Sequence, residues 1–284
     1  MQTIRDLRKR IRSVENIKRI TSAMEKIAAA RLFKAKKSLM SSRPYATALT
    51  GIVNDLLSSQ PEAVHPLLER NEQGDVLIIL VTSDRGLCGG YNTAILEKAM
   101  EFLEKVGRGK VKFVVFGRKG ADFLRKQNHE ILASYINLPA FLPYGYAEEV
   151  GSKAIDLYAG QEVSEVFLIV TEFVSVGRHT PRARKILPVE RSPEAGRNYM
   201  NYSYEPFSPE IIDTILPRLV KTEIWSGLLE SAVSEHAARM FMMQRATKNT
   251  DDMIGDLTLV MNKARQAGIT RELTDIVGAA ETIA

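Results

Sequence analysis

The chain has 284 residues, 45% hydrophobic and 26% charged, with no apolar run approaching the ~18 residues of a membrane span; this excludes a disordered chain and a helical membrane protein and allows one or two domains. A single cysteine, Cys88, excludes an internal disulfide, and four scattered histidines (His65, His129, His179, His236) form no metal-ligand pattern, so no metal or cofactor is expected. The net charge of +5 is uneven, because residues 1–50 hold 13 Lys and Arg against Asp6, Glu15 and Glu25.

The first residues are charged where a signal peptide has its apolar stretch, so a cytosolic protein, or one peripheral to a membrane, is expected. From Thr3 to about Leu57 the pattern is helical, with Ile4, Leu7, Ile11 and Val14, then Ile17, Ile20, Met24 and Ile27, at spacings of three and four. The phase slips between Val14 and Ile20, which predicts a seam that drifts there, and Pro44 predicts a kink near Arg43. Such a basic helix fits a solvated face, a nucleic-acid arm or a helix facing an acidic protein. Against nucleic acid, the basic residues surround the helix and no zipper follows them.

Residues 60–73, with Pro61 and Pro66, read as a linker. The period then changes. Val76 to Val81 is a β-branched apolar run of the kind found in buried parallel strands, followed by the turn Thr82 to Asn92 and a helix over about Thr93 to Val106. Strands are predicted at Lys112 to Phe116, Glu130 to Ile136 and Glu165 to Val174, and helices at Arg118 to Gln127 and Tyr146 to Ala159. This alternation predicts an open α/β sheet. A basic turn at Arg178 to Arg184 and an antiparallel edge strand at Lys185 to Glu190 complete it.

Gly86, Gly89 and Gly90 lie between a strand and a helix, where backbone donors could meet a phosphate. Their spacing matches neither the dinucleotide fingerprint nor the phosphate loop. The other reading is a tight turn that places Arg85 and Cys88 against a partner. A nucleophilic role for Cys88 lacks a neighbouring histidine or any triad pattern.

From Ser208, an N-cap before Pro209, to Ala284 the chain reads as one very long helix, on the order of 110 Å at ~1.5 Å per residue. Pro217 should bend it or split off its first turn. Met253, Leu257, Val260, Ala264 and Ala267 have coiled-coil spacing, which also fits a helix in an ordinary bundle. If this helix pairs antiparallel with the first, the first runs out opposite roughly Arg265, and Gln266 to Ala284 stands beyond it with apolar residues on more than one face, so this tip should either fray or sit in a socket that belongs to another protein.

Asn16, Lys18, Arg19, Ile20, Thr21, Ala23, Met24, Ile27, Ala28 and Ala29, then Arg43-Pro44-Tyr45, resemble the N-terminal signature of the gamma subunit of F-type ATP synthase. Thr82 to Asn92 is similar to its central loop. Ser234-Glu235, Ala237 to Met240, Ala246-Thr247, Asn249, Asn262 to Gln266, Ile269-Thr270 and Glu272-Leu273 are similar to its C-terminal signature. Lys248 and Arg31 depart from the residues common there, and Pro217 has no counterpart. The resemblance implies an antiparallel coiled coil of the terminal helices carrying an inserted Rossmann-like α/β domain: residues 1–58 and 209–284 as the coiled coil, 59–74 a linker, 75–198 the α/β domain and 199–208 a foot.

It also implies a non-catalytic rotor shaft in a proton-translocating complex at the cytoplasmic face of the cell inner membrane. The implied partners are the alpha and beta subunits of the catalytic head, an epsilon-type small stalk subunit and the membrane c-ring, with no nucleic acid and no membrane insertion. The implied contact residues are Met24, Arg85, Cys88, Tyr202, Tyr204, Glu205, Arg239, Arg265, Gln266, Thr270 and Glu272. Two other classes stay open on the residues alone, a nucleotide-binding α/β enzyme and a basic helical nucleic-acid-binding protein.

Overall fold

The computed structural model describes residues 3–106, 110–139, 142–175, 177–190 and 208–283. The elements are α1 (Ile4–Ser59), β1 (Asp75–Val81), α2 (Tyr91–Val106), β2 (Val111–Phe116), α3 (Arg118–Lys126), β3 (Glu130–Tyr135), α4 (Gly145–Ala159), β4 (Val163–Ser175), β5 (Arg178–Leu187) and α5 (Ser208–Ile283). By internal contacts the chain divides into two units, Ala29–Arg239 and the pair of segments Met1–Ala28 with Met240–Ala284.

In the unit Ala29–Arg239 the strands form one sheet in the order β3-β2-β1-β4-β5. β1 pairs parallel with β2 and with β4, and β2 with β3. β5 closes the edge antiparallel to β4. Strand residues alternate between two cores, as the two-residue period requires. Ile78, Leu80, Phe113, Val115 and Ile169 face α2 and α3, where Ile95, Ala99, Ala121 and Leu124 meet them. Leu77, Ile79, Val114, Phe116, Leu168 and Val170 face the other layer, made of α4, the end of α1 and the first part of α5.

The basic run Arg178 to Arg184, expected as a turn, is strand, and β5 begins at its first residue. Two of its charges are matched by carboxylates: Arg182 meets Glu172 at 2.7 Å, and Arg184 meets Glu172 and Glu230, the latter on α5, each at 2.6 Å. The stretch expected as a linker carries no helix or strand but is tied to the sheet unit. Leu67 is buried, and Asn71 Nδ2 donates to Tyr158 O at 2.8 Å and Val163 O at 2.9 Å.

Within this unit α5 is buried on more than one side. Ile224, Leu228, Val233 and Ala237 are inaccessible, and a Cβ at Gly227 would sit 2.6 Å from Leu168 Cδ2, so a larger residue there would have to push the Leu168 side chain aside. α1 buries Leu32, Ala35, Leu39, Ser42, Leu49, Val53 and Leu56 at alternating steps with few gaps. α1 is helix through Pro44 and α5 through Pro217, so Pro217 splits off no first turn.

In the other unit α1 and α5 pair antiparallel. Thr21 Oγ1 accepts from Thr247 Oγ1 at 2.9 Å, and Lys18 pairs with Asp251 one turn away. The covered positions of α1 are Leu7, Ile11, Val14, Lys18, Thr21, Glu25 and Ala28, an unbroken four-three alternation. The expected phase slip is therefore absent. Ile17, Ile20 and Ile27 lie one residue off the seam and are each half exposed or more. On α5 the covered line is Met243, Thr247, Thr250, Ile254, Leu257, Met261 and Ala264, so Leu257 and Ala264 belong to the seam as expected, whereas Met253, Val260 and Ala267 are exposed.

Candidate functional site

Two surfaces carry the predicted residues. The first is the turn after β1, in the unit Ala29–Arg239. β1 and β4 are neighbours whose connections leave to opposite sides, which makes their carboxyl ends the topological switch point where doubly wound sheets take ligands. Here the crevice is occupied by the chain itself. Thr171 N donates to Ser231 Oγ at 3.0 Å, Ser234 Oγ donates to Thr171 O at 3.1 Å, and the buried Tyr91 hydroxyl donates to Ser231 O at 3.2 Å. The N-terminus of α3, the other candidate anion site, receives a carboxylate from within: Asp84 accepts from Arg118 N at 3.0 Å and from Leu138 N at 2.7 Å. Where a nucleotide phosphate would lie, α5 and Asp84 already stand.

The glycine turn serves a different end. Ser83 Oγ donates to Arg85 O at 2.7 Å, and Asn92 accepts from Ser83 N at 3.0 Å while donating to Ser83 Oγ at 2.8 Å and to Cys88 Sγ at 3.3 Å. Leu87 adopts φ 63° and Gly89 φ 59°, which folds the chain so that Arg85 and Leu87 point out and Cys88 points in. Cys88 is 2% exposed against Tyr91 and Ala238, and burial pushes its thiol up from the usual range. The thiol packs inside the chain, and the contact role expected for Cys88 stays what the resemblance implies.

Arg239 is likewise an interior group, 8% exposed. Its Nη2 donates to Arg85 O at 3.0 Å, Nε to Gly86 O at 3.3 Å and Nη1 to Glu235 Oε1 at 2.7 Å. All three acceptors lie in the same unit, so Arg239 ties α5 to the turn; the partner contact expected of it stays what the resemblance implies. Burial raises the Glu235 carboxyl while Arg239 opposes the shift, and burial with the charges of Arg239 and Arg31 lowers neighbouring His236 to about 4. Sequence reasoning passed over Leu87, Asn92, Ser231, Glu235 and His236 as functional candidates. The four-residue spacing of Glu235 and Arg239 was a visible helix-pair signal.

The second surface belongs to the helix pair of the other unit. Beside the closed seam, Ile17, Ile20 and Ile27 form an outward apolar stripe with half-buried Met24, flanked by exposed Arg19 and Lys26. Met24 thus borders the seam instead of lying in it. The Thr21–Thr247 register sets Ile4 opposite Ala264, and past Gly268 no described residue of α1 lies opposite α5. Arg265, Gln266, Thr270 and Glu272 are all exposed, as are Ile269, Leu273 and Ile276. Tyr202, Tyr204 and Glu205 lie outside the described residues. Among the described residues no group of histidine, cysteine and carboxylate side chains could hold a metal ion, and no helix is long and apolar enough to cross a membrane.

A family model described as ATP synthase matches residues 3–283. The chain is 40% identical to the ATP synthase gamma chain of Nitratidesulfovibrio vulgaris (strain DSM 19637 / Miyazaki F), over 100% of this chain and 99% of that one. It belongs to the ATP synthase gamma chain family. The gamma chain of Desulfitobacterium hafniense is 40% identical and that of Pelotomaculum thermopropionicum 37%, each over the full length of both chains.

Among solved structures, the fold is similar to a chain of the Euglena gracilis mitochondrial ATP synthase rotor, with TM-score 0.63 and 15% identity over 94% of this chain and 98% of that one. It is also similar to a chain of the Tetrahymena thermophila mitochondrial ATP synthase central stalk and c-ring, with TM-score 0.61 and 21% identity over 80% and 99%. As a gamma chain, the protein is a subunit of a membrane-associated ATP synthase complex and not its catalytic subunit.

Proposed function

We propose that the chain is the central shaft of a proton-translocating ATP synthase, turning within the alpha and beta subunits of the catalytic head and coupling rotation of a membrane c-ring to ATP synthesis. The observation that carries the reading is the second apolar stripe. A helix pair whose seam is already closed by Leu7, Val14 and Ala28 still exposes Ile17, Ile20 and Ile27 on α1 and Ile269, Leu273 and Ile276 on α5. Exposed apolar lines of this kind, edged with Arg and Lys, fit a partner that is apolar at its centre and acidic at its rim.

Coupling follows from asymmetry. α1 and α5 present different residues in each direction, so each orientation of the shaft favours a different conformation in the subunit it faces, and rotation shifts which one is populated. By resemblance, an epsilon-type small subunit flanks the α/β unit, and Tyr202, Tyr204 and Glu205 meet the c-ring on the cytoplasmic face of the cell inner membrane. The nucleotide-enzyme alternative has no support at the switch point, which α5 fills, and the sequence lacks the residues that would position a phosphoryl group or its metal.

Reconstitution tests the reading. The isolated chain is expected to turn over no ATP, and added to alpha and beta subunits it should form a complex whose hydrolysis exceeds theirs and, on a membrane sector, drives proton transport. Turnover by the chain alone, or failure to join the catalytic subunits, contradicts it.

A further inference from the structure

We propose that Arg239 and Glu235 are positioning residues that clamp the turn from Arg85 to Cys88, so that Arg85 and Leu87 are presented outward for a partner subunit. The inference rests on the shaft reading for the partner's existence, and on the geometry of this chain for the clamp. A leucine at φ 63° occupies a region that side chains bearing a Cβ avoid, and such strain persists only where surrounding structure imposes it. Burying the leucine does not repay it, because Leu87 is 58% exposed. Ser83 and Asn92 hold the turn from its own side, and from α5 it is held by the planar guanidinium of Arg239, with one edge on the carbonyls of Arg85 and Gly86 and another on Glu235.

The clamp is itself anchored. Ser231 and Ser234, earlier on α5, are bonded to Thr171 of β4, and Ala238 packs on Cys88 and Tyr91. A rigid helix therefore fixes an exposed turn through one side chain. Lysine could keep the pair with Glu235 but has no planar fork to span both carbonyls.

Cys88, the chain's one cysteine, reports the state of the turn. In the full-length free chain, Arg239→Gln is expected to raise the labelling rate of Cys88 by an aromatic disulfide reagent at least tenfold, with Arg239→Lys intermediate, while the thermal midpoint moves by only a few degrees. Leu87→Gly should leave Cys88 protected, because it keeps the clamp. In the reconstituted complex, Arg239→Gln and Leu87→Gly should both lower protons moved per ATP hydrolysed severalfold, with Arg239→Lys rescuing part of the loss.

Wild-type labelling in both Arg239 variants overturns the clamp, and faster labelling with unchanged proton-to-ATP ratios overturns its positioning role. If Arg239→Gln does not fold, Arg239→Lys carries the same two readings. Failure of the wild-type chain to assemble would sink the shaft reading instead, and the labelling arm would still decide the clamp.

Discussion

His236 is buried on α5 between Glu235 and Arg239 with its imidazole pulled down to about 4, first by burial and then by the charges of Arg239 and Arg31. The unfolded chain takes up this proton near its ordinary value of ~6.5. The neutral ring's contribution to stability is therefore whole above that value and lost as pH falls towards 4, with a ceiling on the order of 3 kcal/mol. Glu235, raised by burial, acts in the opposite sense over the same fall, since its folded form accepts a proton before its unfolded form does. Between pH 7 and pH 4.5 the wild type should thus lose more stability to denaturant than His236→Gln does. Parallel pH profiles for the two proteins would show that the histidine is not held neutral.

At the scale of elements, the polar layer in the helix pair is the informative feature. Thr21 Oγ1 donates to Lys18 O at 3.1 Å and accepts from Thr247 Oγ1 at 2.9 Å, in a stretch of the seam where Lys18, Glu25 and Thr250 are polar as well. A double-mutant cycle with Thr21→Val and Thr247→Val should give a coupling of roughly 0.5–1.5 kcal/mol, with the double variant as stable as the wild type or more so, because removing both partners leaves neither hydroxyl orphaned. Strictly additive losses would show that the two hydroxyls do not interact. The Lys18–Asp251 pair beside them, its side chains nearly half exposed, contributes little, about 0–1 kcal/mol, and fades with salt.

This same layer explains where the sequence misled. Reading apolar residues alone follows Val14 to Ile17, Ile20 and Ile27, while the seam passes through Lys18, Thr21 and Glu25; the apolar residues left outside it are the surface offered to partners. Met253 and Val260 on α5 mislead for the same reason. The parallel strands were legible because two-sided burial demands unbroken runs such as Val76 to Val81. The first part of β5 is hidden in the sequence because Arg182 and Arg184 look like a turn until Glu172 and Glu230 are seen opposite. The glycine turn was visible too, but its anchor lies on a helix more than 150 residues later and no local pattern joins the two.

For the whole molecule, the exposed end of α5 separates stability from assembly. Arg265 and Gln266 are exposed and Thr270 only back-bonds to Gln266 O at 3.0 Å, so Arg265→Ala and Gln266→Ala should leave the free chain's thermal midpoint nearly unchanged. A charge-assisted bond to a partner contributes roughly 1.5–3 kcal/mol, so the same variants should weaken assembly about tenfold or more. Affinity for the alpha and beta subunits measured beside melting of the free chain decides this, and unchanged affinity in both would remove these residues from the contact surface. The central claim is that the chain turns as a shaft. With the catalytic head fixed to a surface and a visible probe coupled to the exposed face of α2 at Lys105→Cys, in a chain whose Cys88 is replaced by serine, ATP should drive the probe in one sustained direction. Steady ATP hydrolysis by an assembled complex whose probe stays still, or only jitters about one angle, would contradict the account.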